Sequence, residues 1–245
     1  MNQENAGTGS VKNNNQGEHT METRIFTGSV DRRTRTINAE DSGYLPASAA
    51  PQREVATERT ANVLAIDVSS SVEGCVSSAD ARSKLICEKE SSTLFVSNLP
   101  ASAYFSLISF GSMAKVMYPM QGLEEKLSVI KAIQSCRSDG LTAMCEAMHK
   151  AYDEFRKAPV GFKKRFFCVT DGHANDADCH DIADLLKGSG VQVHFIGFGE
   201  GLDVNEELMR ELASVSETGE SLYKHFSSAQ QFSRFMNKQS RTITY

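Results

Sequence analysis

The stretch that decides the fold reads Val63-Leu64-Ala65-Ile66-Asp67-Val68-Ser69-Ser70-Ser71. Its four leading apolar residues predict a strand that is buried on both faces, as in the centre of a parallel sheet. The residues that follow place one carboxylate and two hydroxyls at alternate positions, Asp67, Ser69 and Ser71. A strand that ends in a tight turn can direct these groups at one point, and Mg²⁺ prefers oxygen ligands. The stretch therefore predicts a central strand with a candidate metal site at its end.

From residue 62 onward, short apolar runs alternate with segments of helical periodicity. This alternation is typical of a parallel sheet that has helices on both faces. The predicted strands are 63–67, 104–110, 114–118, 165–170, 191–199 and 222–226, and the predicted helices include 78–98 and segments around residues 123–130, 144–155, 182–186, 208–215 and 232–236. Residues 111–112 are predicted to turn a hairpin that supplies one antiparallel edge strand. The expected fold is α/β, Rossmann-like and doubly wound, with a mostly parallel six-stranded sheet.

Composition narrows the classes of partner. The chain has 245 residues, 40% of them hydrophobic, which suffices for one substantial α/β domain with an appendage. Its formal net charge of −5 lacks the positive field that binding to nucleic acid requires. No apolar stretch is long enough to cross a bilayer, and residues 1–20 do not resemble a secretion signal. The six cysteines form no Cys-x-x-Cys pair and are expected to be free thiols in a cytoplasmic protein without nucleic-acid or membrane partners.

The first 58 residues differ from the rest of the chain. They are polar and lack sustained periodicity, so we expect a flexible arm over residues 1–58 and the folded domain over residues 59–245. Residues 24–37 within the arm contain β-forming side chains and could become ordered on a sheet edge or a partner. Plain disorder of the whole arm is the alternative.

Two further segments carry side-chain oxygen atoms that could join the candidate metal site. Asp171 directly follows the apolar strand 165–170, as Asp67 follows the first strand. Ligands of an open α/β sheet bind beyond the carboxyl ends of its strands, so neighbouring strands would bring both carboxylates to one crevice. The polar loop 138–142 precedes a predicted helix and could place the Thr142 hydroxyl there too. The predicted set then holds two carboxylates and three hydroxyls.

These residues resemble a known motif. Asp67-x-Ser69-x-Ser71, Thr142 and Asp171-Gly172 look like the metal-ion-dependent adhesion site (MIDAS) of the von Willebrand factor A domain family, and the resemblance covers residues 62–241. It implies that the three hydroxyls donate oxygens to Mg²⁺, or to Mn²⁺ or Ca²⁺, and that the two carboxylates bind the cation directly or through water. Leu141 stands where the family often has a glycine before the threonine.

The resemblance also implies a function. Such domains bind an aspartate or glutamate side chain of a partner protein through the cation. Without a recognisable signal or anchor, the sequence is more similar to stand-alone bacterial A-domain proteins of the tellurite-resistance type. Those proteins act as adaptors beside ATPases, kinases or phosphatases in stress or defence responses. Under this hypothesis the arm would be a second partner-binding element.

Two other functions remain open from the sequence. Asp67 could be the nucleophile of a Mg²⁺-dependent phosphatase of the haloacid-dehalogenase type. Those enzymes, however, have an Asp-x-Asp motif whose second aspartate acts as the acid or base. Ser69 stands at that second position here, so a protein without enzymatic activity is expected. Alternatively, the metal could only stabilise the domain while its arm or outer helices bind partners.

Overall fold

A twisted sheet with helices on both faces forms the centre of the molecule. The computed structural model describes residues 58–171, 178–199 and 205–241, so the predicted arm over residues 1–58 lies outside the described residues except for its last position. In chain order the strands are β1 (Thr60–Asp67), β2 (Cys75–Ser77), β3 (Asp80–Ser83), β4 (Tyr104–Phe110), β5 (Ala114–Gly122), β6 (Lys163–Thr170), β7 (Val191–Phe198) and β8 (Tyr223–Phe226). The helices are α1 (Lys84–Asn98), α2 (Lys126–Ser135), α3 (Met144–Phe155), α4 (His180–Gly188), α5 (Glu206–Leu212) and α6 (Ala229–Ser240).

The strand order of the main sheet is β5-β4-β1-β6-β7-β8. Strand β5 pairs with β4 in the antiparallel direction, and the other pairs are parallel. This arrangement confirms the predicted six-stranded, mostly parallel sheet with one antiparallel edge strand. Strand β1 lies between β4 and β6, so its carboxyl end shares one edge of the sheet with theirs.

The start of α1 differs from the prediction. The predicted helix over residues 78–98 is wrong for its first six residues, since β2 and β3 form a small antiparallel hairpin before Lys84. The Ser83 side chain ends this hairpin and caps α1 by accepting a hydrogen bond from the amide of Ile86 at 3.3 Å. Serine at this position satisfies an amide that the first helical turn leaves without a partner. Helix α5 likewise ends at Leu212, before the predicted Val215.

Each face of the sheet packs against its own set of helices. Strand β1 is buried over its whole length, and its alternate side chains enter two apolar clusters. Leu64 and Phe167 face α1, α2 and α6, whereas Val63 and Phe166 face α3, α4 and α5. On the first face the Phe95 ring meets Phe167 edge-on at 5.2 Å. None of the helices in the described part of the chain is long and apolar enough to cross a membrane.

A buried histidine lies on the face of the sheet that packs against α1 and α6. The His194 ring of β7 stacks on Phe167, with their centroids 4.6 Å apart. Burial lowers the pKa of His194 to about 3, and the nearby positive charges of Arg165 and Lys163 act in the same direction. The imidazole is therefore neutral in the folded protein at physiological pH.

Truncation of Leu64 to alanine is expected to lower the free energy of unfolding by about 2–5 kcal/mol, because this fully buried side chain would leave a cavity under α1. The same substitution at Leu127, whose side chain is 66% exposed, should change stability by no more than about 0.5 kcal/mol. Urea unfolding measures both values. Equal losses in the two variants would contradict the assignment of β1 to the core.

Acidification should destabilise the protein through His194. An unfolded histidine binds a proton below its ordinary pKa of 6.5, whereas the folded ring stays neutral down to about 3. This contribution to stability is complete above pH 6.5 and falls by about 1.4 kcal/mol for each pH unit below it. Urea unfolding between pH 7.5 and 5 should give a difference between the wild type and His194→Gln that shrinks as the pH falls. A difference that stays constant over this range would refute the prediction.

Candidate metal site

Four of the five predicted ligands, Asp67, Ser69, Ser71 and Asp171, lie at the edge of the sheet where β1 and β6 end. Asp67 is the last residue of β1 and Asp171 directly follows β6. The Ser71 hydroxyl donates a hydrogen bond to Asp171 Oδ1 at 2.7 Å, and it lies 2.9 Å from the Ser69 hydroxyl. The structure thus brings Ser69, Ser71 and Asp171 together in one chain of hydrogen bonds, although 100 residues separate the last two.

Asp67 is held at the base of this cluster. Its Oδ1 accepts a hydrogen bond from the amide of Ser69 at 2.7 Å, and its Oδ2 accepts one from the hydroxyl of Thr170 at 2.5 Å. Burial raises the pKa of Asp67 to about 6, although the hydrogen bonds from Thr170 and Ser69 oppose the shift. The charge of Asp171 adds a smaller increase in the same pKa. A nearby cation would favour the ionised form, so metal binding would release protons.

The loop that carries Thr142 crosses over the serine-rich turn. Two backbone hydrogen bonds join them, from the Ser70 amide to the Gly140 carbonyl at 2.9 Å and from the Asp139 amide to the Val68 carbonyl at 2.6 Å. Thr142 is buried, with 4% of its surface exposed. The structure therefore places the loop of the fourth predicted ligand against the turn that contains Ser69 and Ser71.

Two glycines allow this close approach, and neither is at position 141. A Cβ at Gly111 would lie 2.0 Å from the carbonyl oxygen of Asp139, and one at Gly140 would lie 2.0 Å from Ser112 Oγ. Gly140 also has a φ of +62°, which favours glycine. Leu141 is 62% exposed, so its side chain does not obstruct the loop. The sequence predicts only a hairpin turn at Gly111. The contact of Gly111 with Asp139 joins distant segments, so it is seen only in the tertiary structure.

Lys84 places a positive charge against Asp171, a contact that the sequence did not predict. Its ammonium lies 2.5 Å from Asp171 Oδ2, and its side chain is only 12% exposed. Lys84 is the first residue of α1, an end of a helix where acidic side chains are the favourable ones. No signal in the sequence indicated this position, because the predicted helix began at residue 78 and placed Lys84 inside it. A Cβ at Gly199 would lie 2.8 Å from Lys84 Cε, so the bare backbone of Gly199 borders the lysine stem.

One turn further along α1, Glu88 carries a buried carboxyl group. Glu88 is fully buried, and neither of its carboxyl oxygens has a hydrogen-bond partner among the described residues. Burial raises its pKa well above the ordinary range, and the charges of Asp67 and Asp171 raise it further. Periodicity alone did not distinguish this residue from the exposed charges of the helix.

The predicted donor set has the chemistry that a hard divalent cation prefers. It comprises two carboxylates and three hydroxyls, and oxygen donors of this kind suit Mg²⁺, Mn²⁺ or Ca²⁺. Over the ranges that the structure describes, no three His, Cys, Asp or Glu side chains converge on a common point. A metal site here therefore relies on the serine and threonine hydroxyls to complete its coordination.

Substitution of Gly111 by alanine tests the contact between the two loops. The added methyl group would overlap the Asp139 backbone, so the free energy of unfolding should fall by about 1–3 kcal/mol. Gly188→Ala is the matched control, because a Cβ there would meet nothing within 4 Å. That control should be neutral or stabilise the protein by up to about 1 kcal/mol. Indistinguishable urea midpoints for the two variants would contradict the close approach of the loops.

Comparison with known proteins gives the same fold. The pilus adhesin SpaC of Lactobacillus rhamnosus GG superposes with a TM-score of 0.63 at 15% identity, over 77% of this chain and 31% of that one. Proximal thread matrix protein 1 of the mussel byssus, with a zinc-occupied MIDAS motif, superposes with a TM-score of 0.62 at 20% identity, over 75% of this chain and 45% of that one. At these identities the similarity shows the fold.

Sequence comparison leads to the family. An uncharacterized protein of Synechocystis sp. is 24% identical over 115 residues, which are 46% of this chain and 27% of that protein. This chain thus spans less than half the length of each of the three proteins. The family model of the von Willebrand factor type A domain matches residues 63–239, which is more than half of the chain. The chain therefore belongs to the von Willebrand factor type A domain family.

Proposed function

We propose that the protein is a metal-dependent protein-interaction module without enzymatic activity. In this proposal Mg²⁺, or Mn²⁺ or Ca²⁺, is held by Asp67, Ser69, Ser71, Thr142 and Asp171. The bound cation supplies a positive centre to which an aspartate or glutamate of a partner coordinates. The observation that carries the proposal is the hydrogen-bonded chain of Ser69, Ser71 and Asp171 at the carboxyl edge of the sheet. The adhesin and the matrix protein with the same fold also support an interaction module.

The charges of the donor set favour an incoming carboxylate. Three of its five donors are neutral hydroxyls, so they orient a cation without cancelling its charge. Asp67 is fully buried, and its hydrogen bonds to Ser69 and Thr170 hold the carboxylate in place. Ser71 is exposed, so the donor set opens to solvent on its side. A partner can therefore approach from the side of Ser71.

The surroundings of the site suit an acidic partner with apolar neighbours. Met113 and Leu141 are 57% and 62% exposed, and they belong to the two loops that meet above the serine-rich turn. Beside them lies a cavity of about 370 Å³, whose lining includes Met113, Lys115 and Arg137. Exposed apolar side chains next to basic ones are typical of protein-binding surfaces. Lys115 pairs with Asp139 of the same lining at 3.6 Å, so Arg137 is the cation that complements acidic residues beside the coordinating carboxylate.

The cellular role proposed for this module is that of a cytoplasmic adaptor or regulatory subunit in a bacterial stress or defence complex. An ATPase, kinase or phosphatase component is the proposed type of partner, by resemblance to A-domain proteins of the tellurite-resistance type. Cys75 is an exposed free thiol, and Cys87, Cys136 and Cys168 are buried ones, which supports a reducing compartment. Residues 1–58 are proposed as a flexible second binding element, separate from the domain over residues 59–245.

A phosphatase reaction at Asp67 is less well supported. A nucleophilic carboxylate needs an oxygen that faces the substrate, together with an acid to protonate the leaving group. Both oxygens of Asp67 accept hydrogen bonds inside the fold, and the candidate acid position holds Ser69. Partner binding by a folded Asp67→Ala variant distinguishes the interaction module from a metal that only stabilises the fold.

Replacement of Ser71 by alanine should weaken Mn²⁺ binding at least about tenfold, because a proposed ligand is lost. Ser70→Ala is the matched control, since Ser70 lies in the same turn outside the donor set and should leave the affinity within about twofold. Isothermal titration of the full chain with Mn²⁺ measures both affinities. Equal affinities in the two variants would overturn the proposed ligand set.

Partner binding is tested by a pull-down from host extract with the wild type, Ser70→Ala and Asp67→Ala. A protein retained in Mg²⁺ by the wild type and Ser70→Ala, but lost in EDTA and with a folded Asp67→Ala, supports bridging through the cation. Retention by Asp67→Ala refutes it, and unfolding of Asp67→Ala in circular dichroism indicates a stabilising role. Turnover of p-nitrophenyl phosphate that depends on Asp67 would establish the phosphatase instead.

A further inference from the structure

Two ionisable side chains of α1 lie beside the candidate site but outside its donor set. Lys84 pairs with Asp171, and Glu88 follows it by one helical turn. We propose that Lys84 and Glu88 form an internal cation relay: when a divalent cation binds at Asp171, the Lys84 ammonium moves to Glu88, whose carboxyl group releases its proton to solvent as the ion pair forms. This inference rests on the proposed function of the Asp171 site, and it describes how metal binding at that site is regulated.

Lys84 occupies one of the two carboxylate oxygens of Asp171, a proposed ligand of the cation. Its ammonium lies 2.5 Å from Asp171 Oδ2, while Ser71 donates to Asp171 Oδ1. An ammonium and a divalent cation on one buried carboxylate would repel each other strongly, because the surroundings screen charge poorly. Lys84 must therefore leave Asp171 when the cation binds, and it acts as a competitor of the metal.

Glu88 offers the displaced ammonium a buried carboxyl group that becomes a counter-charge once it loses its proton. Both carboxyl oxygens of Glu88 lack a hydrogen-bond partner in the part of the chain that the structure describes, although the residue is fully buried. A buried polar group without a partner is costly, and native structures rarely keep one without a reason. The group is thus explained if another state of the protein gives it a cation.

The geometry of α1 puts Lys84 within reach of Glu88. Side chains four residues apart lie on the same face of a helix, with Cβ atoms about 5–6 Å from each other. The positive charge of Lys84 already acts on Glu88, since it partly offsets the increase in the pKa of that carboxyl. A Cβ at Gly199 would come within 2.8 Å of Lys84 Cε, so the absence of a side chain at Gly199 is what lets the lysine stem lie there.

The relay lowers the cost of metal binding by exchanging one ion pair for another. Breaking a buried ion pair by removing one partner is strongly destabilising, because a charge remains without compensation. With Glu88 present, the Lys84 ammonium keeps a carboxylate partner in both states. The affinity for the metal should therefore depend on both residues, and their effects should not be additive.

A double-mutant cycle with Mn²⁺ as the probe tests the relay by isothermal titration of the full chain. Lys84→Met should bind Mn²⁺ about tenfold more tightly than the wild type, since the competing cation is gone. Glu88→Gln should bind about tenfold more weakly, because the displaced ammonium meets a neutral amide that cannot ionise to balance its charge. In the Lys84→Met background, Glu88→Gln should change the affinity by less than about twofold. An equal loss in both backgrounds would mean that Glu88 acts directly on the metal, and would overturn the relay.

Two further measurements keep the test independent of how well the variants fold. Crystal structures of the wild type with and without Mn²⁺ should show the Lys84 ammonium on Glu88 and on Asp171, respectively, and an ammonium that stays on Asp171 beside the metal refutes the relay. Lys150→Met removes the exposed pair of Lys150 with Glu146 on α3, also four residues apart, and should leave Mn²⁺ affinity unchanged. A wild type that binds no Mn²⁺ overturns the proposed function and the relay, whereas binding with an additive cycle overturns the relay alone.

Discussion

The parallel pairing of β1 with β6 is the constraint on which the rest of the structure depends. Its register sets Ile66 beside Val169, so that the Thr170 hydroxyl reaches Asp67 and Asp171 emerges at the same edge. Both strands are buried on two faces, and a slip of one residue would turn every apolar side chain to the opposite face. Core packing therefore determines where the two carboxylates lie.

Charge is concentrated at this edge at some cost to the fold. Asp67, Glu88 and Asp171 are all buried near one another, and burial raises the pKa of the first two. Lys84 provides a buried positive charge in direct contact with one of them. Stored electrostatic cost of this kind is common where a protein must bind a ligand, and here it favours an added cation.

The glycine positions show how the loops around the site are adapted to one another. The loop of Thr142 is supported from below by backbone hydrogen bonds to Val68 and Ser70, and from the side by the turn at Gly111. The exposed Leu141 sits on top, where another protein could contact it. One short loop thus carries both Thr142, a candidate ligand, and Leu141, an exposed apolar side chain.

The sequence by itself determined the α/β fold with its six-stranded, mostly parallel sheet, and it predicted which five residues are the candidate ligands. The strands and helices follow from local periodicity, and the candidate ligands follow predicted strands or precede a predicted helix. Both kinds of pattern can be read directly along the sequence. Only the tertiary structure decided that Lys84 meets Asp171, that Glu88 is buried without a partner, and that Gly111 contacts Asp139. The hairpin of β2 and β3 was also missed, because its short strands lack a clear apolar alternation. Contacts between distant segments arise from packing, and no local pattern specifies them.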